Sequence, residues 1–359
     1  MGGWVEGDPA GDRRFLDLPG PFRPERGGLL PGVRVAYETW GTLDEDGGNA
    51  VLVEHALTGD SHVVGPPGPG HPTGGWWDGL IGPGRALDTD RIFVVCANVL
   101  GGCQGTTGPS SRAPDDGPWG ARFPEVTVGD QVRVEAALAD ARGIGRWACV
   151  VGGSMGGMRA LEWAVALPDR VATLFFLASG AVATADQIGT QTTQQTAIRS
   201  DPRWRGGDYP LDDPPVAGLG IARRIAHLTY RSAFELGERF GTGVQDDGRF
   251  AVASYLDHHA DKLARRFDAG SYVALTETMN SWDVGRGRGG VDAALARVTA
   301  RALVAGVDSD RLYPLELQQQ VADGLGVPLQ VISSPYGHDG FLVEVEAVGE
   351  LLRGLLDGR

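Results

Sequence analysis

The sequence predicts an α/β fold, in which a mostly parallel β-sheet is covered by helices on both faces and carries a helical insertion. Near-continuous apolar runs, such as residues 146–153 and 171–180, alternate with helical patterns. Such runs are typical of buried parallel strands. The alternation stops between residues 182 and 295, where helical patterns dominate, and it resumes at residue 301. One interrupted domain accounts for this order better than two successive domains.

The predicted elements follow this alternation in chain order. The strands expected in the first part of the core are residues 34–43, 50–59, 91–101, 146–153 and 171–180. Helical patterns cover residues 126–145 and 158–168, and Pro168 ends the second of them. The insertion contains amphipathic helix patterns at residues 217–240 and 251–267. The second part of the core adds a strand, a helix, a strand and a helix at residues 301–307, 315–326, 328–334 and 341–356.

These elements set the expected domain limits. Residues 1–181 form the first part of the core, residues 182–295 the insertion, and residues 296–359 the second part of the core. About the first 25 residues are expected to be loosely ordered, because they are polar and rich in glycine and proline. The insertion is expected above the carboxyl ends of the strands, where open α/β sheets bind their ligands.

Composition excludes several classes of function. The formal net charge of −14 makes nucleic acid a poor partner. No apolar run of about 18 residues indicates a membrane span, and the N-terminus lacks the order of a signal peptide. Three cysteines fit a reducing compartment, so a cytoplasmic protein is expected. No metal site is expected, because there is no CxxC pair and the adjacent His258 and His259 do not share one helix face.

The stretch VVGGSMGGM, residues 150–158, places Ser154 between an apolar strand and a helix. Its G-x-S-x-G spacing is typical of a nucleophilic serine on a sharp strand-to-helix turn. The backbone N–H of Met155 would then point toward an oxyanion. A phosphate loop is excluded because no lysine follows. The dinucleotide fingerprint fails because Val151 stands where its first glycine is required.

A serine hydroxyl needs a base, and at such a turn an acid and a histidine follow it at the ends of later strands. Of the seven histidines, only His338 follows a late strand. Asp308 and Asp310 both follow the strand before it. Asp310 is preferred because it starts the DRLYP turn clear of the strand, whereas Asp308 would cap that turn. Asp310 would hold the neutral tautomer of His338.

The second oxyanion donor is expected in the loop after an early strand, in the stretch EHALTGDSH. The backbone N–H of Leu57 is the candidate donor in that loop, and Thr58 would line the pocket.

Long motifs from about Pro31 to Leu352 match those of a known family. They include HALTGDSH, GWWDGLIGPGRALDTD, NVLGGCQGTTGPSS, FPEVTVGDQV, GGSMGGMRALEWA, ARRIAHLTYRS, RFDAGSYVALTETMNSWDVGRGRGG, SDRLYP and YGHDGFL. The chain thereby resembles the homoserine O-acetyltransferases, which are acyltransferases of methionine biosynthesis with the α/β-hydrolase fold. The resemblance implies a ping-pong reaction, in which acetyl-CoA acetylates the serine and L-homoserine accepts the acetyl group. It implies no cofactor besides this co-substrate, and a homodimer formed through the helical insertion.

The resemblance also assigns roles to residues. It makes Ser154 the nucleophile, with the SD-pair aspartate Asp310 as the acid and His338 as the base. The residues it implies for the substrate are Arg223 for the carboxylate, with Arg224 as a rival, Asp339 for the ammonium, and Tyr230 in the pocket wall. A planar guanidinium suits a carboxylate, and a carboxylate suits an ammonium group.

Two stretches of the insertion depart from the family pattern, residues 188–202 (IGTQTTQQTAIRSDP) and residues 279–283 (MNSWD). Succinyl-CoA as donor and L-serine as acceptor therefore stay open as alternatives, although GCQGTTGPSS favours acetyl transfer. A serine esterase with the same triad is a further alternative, and a non-catalytic binding protein on this fold is another. Arg223 and Asp339 favour the transferase over the esterase, and the intact triad argues against the binding protein.

Overall fold

One eight-stranded sheet organises residues 2–358, the part of the chain that the computed structural model describes. Its strands are β1 (Arg14–Leu18), β2 (Val33–Trp40), β3 (Ala50–Glu54), β4 (Phe93–Ala97), β5 (Cys149–Gly153), β6 (Thr173–Leu177), β7 (Arg301–Val307) and β8 (Leu329–Ile332). Their spatial order is β1-β2-β4-β3-β5-β6-β7-β8. The last six strands in this order, β4, β3, β5, β6, β7 and β8, are parallel to one another. Strands β1 and β2 lie at one edge and pair antiparallel. The predicted α/β fold is confirmed.

The apolar runs of the sequence become strands because both faces of the sheet are covered. Every residue of β3, β4, β5 and β6 is buried. Two hydrophobic clusters fill the two sides of the sheet, one around Trp147 and Trp163 and the other around Trp77 and Phe341. A strand buried on both faces needs no polar alternation, which explains the continuous pattern.

Eleven α-helices accompany the sheet in residues 2–358. They are α1 (Val128–Ala141), α2 (Met155–Ala166), α3 (Ala185–Arg199), α4 (Val216–Tyr230), α5 (Ala233–Phe240), α6 (Ala251–Ala264), α7 (Ala269–Asn280), α8 (Val291–Leu295), α9 (Leu315–Leu325), α10 (Gly340–Val343) and α11 (Val345–Leu356). Over this described range, each helix is too short or too polar to cross a lipid bilayer.

The insertion between β6 and β7 consists of α3 to α8. The amphipathic pattern at residues 217–240 forms two helices, not the single one expected. The chain leaves α4 at Arg231, which is extended with φ −104° and ψ 147°. The side chain of Ser232 then caps α5 by accepting the backbone N–H of Glu235. Apolar periodicity continued through this break, whereas the capping serine marked it.

The N-terminal segment is more ordered than the sequence analysis expected. Residues 14–18 form β1, paired with β2, and the backbone N–H of Trp4 donates to the carbonyl of Cys103 at 2.8 Å. Arg13 is buried and donates to the carbonyl of Gly70 at 2.7 Å and to the side chain of Gln104 at 3.0 Å. The expectation of loose order was therefore wrong for this segment, because long-range partners compensate for its polar composition. Met1 lies outside the described residues.

Candidate active site

Ser154 occupies the sharp turn between β5 and α2. Its backbone has φ 59° and ψ −125°, a conformation that is strained for any residue with a side chain. Two contacts hold this conformation in place. The Ser154 N–H donates to the carbonyl of Leu177 at 3.1 Å, and Ser179 Oγ donates to the carbonyl of Ser154 at 2.7 Å. Packing against the end of β6 thus maintains the strain that presents the Ser154 hydroxyl.

The glycines around Ser154 permit close backbone approach. A Cβ atom on Gly156 would lie 2.0 Å from the carbonyl oxygen of Glu54, and one on Gly152 would lie 2.3 Å from the carbonyl oxygen of Gly156. Neither glycine has a positive φ. The requirement is therefore for space between β3, β5 and the first turn of α2, and not for unusual dihedral angles.

Asp310 and His338 are brought together by the loops after β7 and β8. His338 Nδ1 donates to Asp310 Oδ2 at 2.6 Å, and both side chains are buried. The other carboxylate oxygen of Asp310 accepts the backbone N–H groups of Leu312 and Tyr313 at 2.8 and 2.9 Å. Asp308 instead accepts the N–H of Ser334 at 3.0 Å, which ties the two loops together.

Three aromatic rings surround the His338 imidazole. The ring centroid of Tyr313 is 5.1 Å from that of the imidazole, with a nearly parallel orientation, and those of Phe341 and Tyr230 are 5.3 and 5.9 Å away. Within residues 2–358, Ser154 Oγ makes no hydrogen bond to His338. Catalytic contacts of this kind often tighten only when substrate binds.

Two backbone donors near the serine have no protein acceptor. Among the described residues, neither the Leu57 N–H nor the Met155 N–H makes a hydrogen bond. Met155 is the first residue of α2, where N–H groups are free by geometry and the helix dipole favours negative charge. Leu57 follows β3 and is buried. Free N–H groups of this kind are suited to an oxyanion.

Three of the four predicted substrate residues line one cavity, and Tyr230 does not. Arg223, Thr58 and Asp339 all line a hollow of about 260 Å³. Arg223 donates to Thr58 Oγ1 at 3.4 Å, and its guanidinium lies 5.3 Å from the ring centroid of Tyr230. Its Nε is buried and has no hydrogen-bond partner in the described chain. Arg224 forms an ion pair with Asp257 and does not line this cavity.

Asp339 already has a cationic partner. Arg231 Nε lies 3.2 Å from its Oδ2, and both side chains are largely buried. Burial raises the pKa of Asp339, although Arg231 and His338 oppose that effect. An ammonium group that approached Asp339 would therefore share the carboxylate with Arg231.

Cationic side chains line this cavity. Its lining residues include four that carry a full positive charge, Arg223, Arg231, Lys262 and Arg266. Ser154 does not line it, and its side chain is only slightly exposed. Three larger hollows, two of about 620 Å³ and one of about 310 Å³, are lined by neither the triad nor the predicted substrate residues.

Glutamines of the departing stretch at residues 188–202 hold the insertion together. Gln194 accepts the hydroxyl of Tyr272 at 2.7 Å, and Gln195 donates to Thr276 Oγ1 at 2.9 Å. These bonds tie α3 to α7, and all four side chains are buried. The glutamines in this stretch therefore pack inside the insertion.

A cluster that the sequence analysis did not anticipate lies beside the loop after β3. Ligand-type atoms of Asp12, Glu38, His62 and His71 lie within 4.8 Å of one another. His62 Nδ1 bonds to Glu38 at 3.0 Å, and the Asp12 N–H donates to His71 Nε2 at 3.0 Å. These bonds tie the cluster to the N-terminal segment, whereas His71 Nδ1 is buried without a hydrogen-bond partner among residues 2–358. The members are far apart in the chain, so their spacing carried no signal.

Sequence reasoning also missed Tyr313 and Arg159. Tyr313 stacks on His338, and Arg159 of α2 is completely buried between Glu54 and Glu135. Both residues lie within quoted motifs, SDRLYP and GGSMGGMRALEWA. An arginine on the buried face of a helix that follows a nucleophile was the available signal for Arg159.

Comparison with known proteins places these features in a family. A family model described as the alpha/beta hydrolase fold matches residues 49–345. A homoserine O-acetyltransferase of Thermobifida fusca (strain YX) is 64% identical over 366 residues, which cover 99% of this chain and 96% of that protein.

Two solved structures are also similar. The homoserine O-acetyltransferase from Bacillus anthracis has a TM-score of 0.88 and 25% identity, covering 96% of this chain and 98% of its own. Esterase E22 has a TM-score of 0.88 and 28% identity, covering 96% of this chain and 99% of its own.

Proposed function

Since this chain belongs to the homoserine O-acetyltransferase family, we propose that it transfers an acetyl group from acetyl-CoA to the hydroxyl of L-homoserine. Such a reaction serves methionine biosynthesis. Three observations support the proposal: the strained backbone of Ser154, the hydrogen bond between Asp310 and His338, and a cavity lined by Arg223 and Asp339.

In the first half-reaction, Ser154 attacks the thioester of acetyl-CoA. His338 Nε2 removes the hydroxyl proton as Oγ bonds to the carbonyl carbon, and Asp310 stabilises the resulting imidazolium. The N–H groups of Leu57 and Met155 donate to the oxyanion. Collapse breaks the carbon–sulfur bond, and the imidazolium proton passes to the departing CoA thiolate.

In the second half-reaction, L-homoserine attacks the acetyl-serine. His338 takes the proton of its hydroxyl, the same N–H groups hold the second oxyanion, and Ser154 recovers the proton when the ester bond breaks. Arg223 binds the carboxylate of homoserine and Asp339 its ammonium. Thr58 lines the same cavity, and both Thr58 and Tyr230 contact Arg223. These contacts hold the acceptor hydroxyl toward the acetyl-serine.

The rim of the cavity suits an anionic acyl donor. The chain has a net charge of −14, yet Arg223, Arg231, Lys262 and Arg266 gather at this mouth with only Asp60 and Asp339 among its acidic lining residues. A positive rim on a negative protein attracts the phosphates of a CoA thioester to this entrance. Acetyl-CoA would enter here as a substrate.

An esterase is the second candidate, because esterase E22 shares the fold at a TM-score of 0.88. Water and homoserine could each attack an acetyl-serine. The unpartnered Nε of the partly buried Arg223 favours the amino-acid acceptor, since a water molecule needs no carboxylate ligand.

A CoA-release assay tests the function. The protein is mixed with acetyl-CoA or succinyl-CoA, and with homoserine, serine or water as acceptor. We expect a burst of CoA with acetyl-CoA alone and steady turnover only with homoserine. Ser154→Ala should abolish both signals without loss of fold. Turnover with water as fast as with homoserine would assign the protein to the esterases.

Assembly and location are part of the same proposal. Five large apolar side chains are exposed on or beside α4, α5 and α6, namely Ile221, Leu228, Phe234, Val244 and Phe250. A patch of this kind supports a homodimer formed through the insertion. Cys96, Cys103 and Cys149 are buried and unpaired, which supports a cytoplasmic location.

A further inference from the structure

The hydroxyl of Tyr313 is buried without a hydrogen-bond partner beside the catalytic residues. Tyr313 has no solvent exposure, and within residues 2–358 its hydroxyl makes no hydrogen bond of ordinary geometry, although it interacts with the Ser154 side chain. Most buried hydroxyls find a partner, because an unpaired one costs stability. An orphan hydroxyl in this position therefore indicates a partner that arises during the reaction.

The ring of Tyr313 is fixed from two sides. It stacks on the His338 imidazole with ring centroids 5.1 Å apart and an interplanar angle of 27°. Its backbone N–H donates to Asp310 Oδ1 at 2.9 Å. Tyr313 therefore lies beside Asp310 and His338, and it does not line the cavity that contains Arg223 and Asp339.

Ser154 is a polar neighbour of this hydroxyl, because the two side chains interact. Burial and the negative charge of Asp310 raise the pKa of Tyr313, whereas interaction with the Ser154 side chain lowers it. The net pKa is well above the ordinary value, so the phenol stays protonated and can only donate when a negative oxygen forms beside it.

We infer that Tyr313 is a further catalytic residue, whose hydroxyl donates a hydrogen bond to Ser154 Oγ when that oxygen carries negative charge. This inference rests on the proposed function, in which Oγ is the attacking atom of one half-reaction and the leaving atom of the other. No proton leaves Tyr313. The Ser154 proton still passes to His338 and returns from it, so the covalent steps are unchanged.

Removal of the hydroxyl should slow both half-reactions. A hydrogen bond to a charged oxygen corresponds to about 10- to 100-fold in rate. Tyr313→Phe should therefore lower the rate of the CoA burst and the rate of homoserine-dependent deacetylation by similar factors, while KM for homoserine stays the same. Because the lost hydroxyl has no partner in the free protein, the variant should be at least as resistant to heat as the wild type.

The experiment is rapid-mixing kinetics with acetyl-CoA, followed by addition of homoserine to the acetylated protein. Tyr209→Phe is the matched control. It removes another buried hydroxyl, which donates to Asp268 at 2.6 Å away from the triad, and it should leave both rates unchanged. Thermal denaturation of each variant reports folding.

Three outcomes would overturn the inference. Equal burst rates in wild type and Tyr313→Phe would remove any role for the hydroxyl in acylation. Loss confined to deacetylation, with a raised KM for homoserine, would make Tyr313 an acceptor-binding residue instead. Absence of a burst in the wild type itself would overturn the proposed function, and the inference with it. The first two outcomes, in contrast, would overturn the inference and leave the proposed function intact.

Discussion

Arg159 provides the sharpest test of how the site is supported. Its guanidinium has no solvent exposure, and Nη1 lies 2.6 Å from Glu54 Oε2 and 2.6 Å from Glu135 Oε1. Its Nη2 donates to the carbonyl of His55 at 2.6 Å. Arg159 thus joins α2, which follows Ser154, to the chain just before Leu57, and its single positive charge lies between two buried carboxyl groups.

The perturbation is Arg159→Met, which keeps the length of the side chain and removes its charge. Breaking a buried ion pair by removal of one partner costs about 3–5 kcal/mol, because the remaining charge is buried without compensation. Two carboxylates remain in this variant, so we expect the upper part of that range. Burial already raises the pKa of Glu54 despite Arg159, and loss of the guanidinium would raise it further.

The sign of the pH dependence follows from that raised pKa. A carboxyl group whose folded-state pKa exceeds its unfolded value costs nothing at low pH, where it is protonated in both states. The cost grows as the pH rises through the folded-state pKa. The stability deficit of Arg159→Met should therefore be smaller at pH 5 than at pH 8.

Urea denaturation of wild type and variant at the two pH values measures the deficit. Adding Glu54→Gln and Glu135→Gln to Arg159→Met should recover stability at pH 8, because the uncompensated charges are gone. Arg112→Met is a matched control, since Arg112 pairs with Asp116 on the exposed surface and should contribute little. A deficit below about 1 kcal/mol, or an equal deficit at both pH values, would refute this account of the buried pair.

Three further predictions concern the substrate, acid stability and assembly. Arg223→Ala should raise KM for homoserine about 10- to 100-fold and leave the CoA burst at saturating acetyl-CoA unchanged, whereas Arg224→Ala should change neither; an unchanged KM in Arg223→Ala would remove its role. Burial lowers the pKa of His55 from 6.5 to about 3, so its neutral form contributes stability that is lost as the pH falls below 6.5. Between pH 7.5 and 5 the His55→Gln variant should lose about 2 kcal/mol less stability than wild type, as urea denaturation would show, and equal losses would contradict this. Phe234 is 67% exposed on α5, and Phe234→Asp should convert a dimer to a monomer in sedimentation velocity, unless the wild type is already monomeric.

The sequence predicted the parts of the site that depend on local order. The G-x-S-x-G spacing between an apolar strand and a helix placed Ser154 at a turn, and the structure has that turn with its strained backbone. Chain order selected His338, and the start of the DRLYP turn favoured Asp310 over Asp308. The structure joins His338 and Asp310 by a hydrogen bond. The carboxyl ends of parallel strands lie at the same edge of the sheet. Residues that directly follow different strands are therefore close in space, and their order in the sequence predicts the site.

What the sequence could not supply depends on distant contacts. Edge strand β1 was missed because its alternation is short and polar, and its stability comes from pairing with β2. The choice between Arg223 and Arg224 needed the direction of each side chain from α4, which neighbouring positions on one helix do not settle. Tyr313 was missed because a tyrosine has an ordinary place in a core, and only its orphan hydroxyl distinguishes it.

The acceptor, and not the nucleophile, separates this protein from an esterase of the same fold. A sheet that superposes on esterase E22 at a TM-score of 0.88 presents its serine in the same way, so the frame alone allows hydrolysis. Well-oriented groups reach effective molarities on the order of 10⁵–10⁸ M, far above that of water. A homoserine held between Arg223 and Asp339 would therefore outcompete water for the acetyl-serine without any barrier to water entry. On the proposed function, selectivity depends on the few contacts that orient one hydroxyl, which lie in the insertion and in the loop after β8.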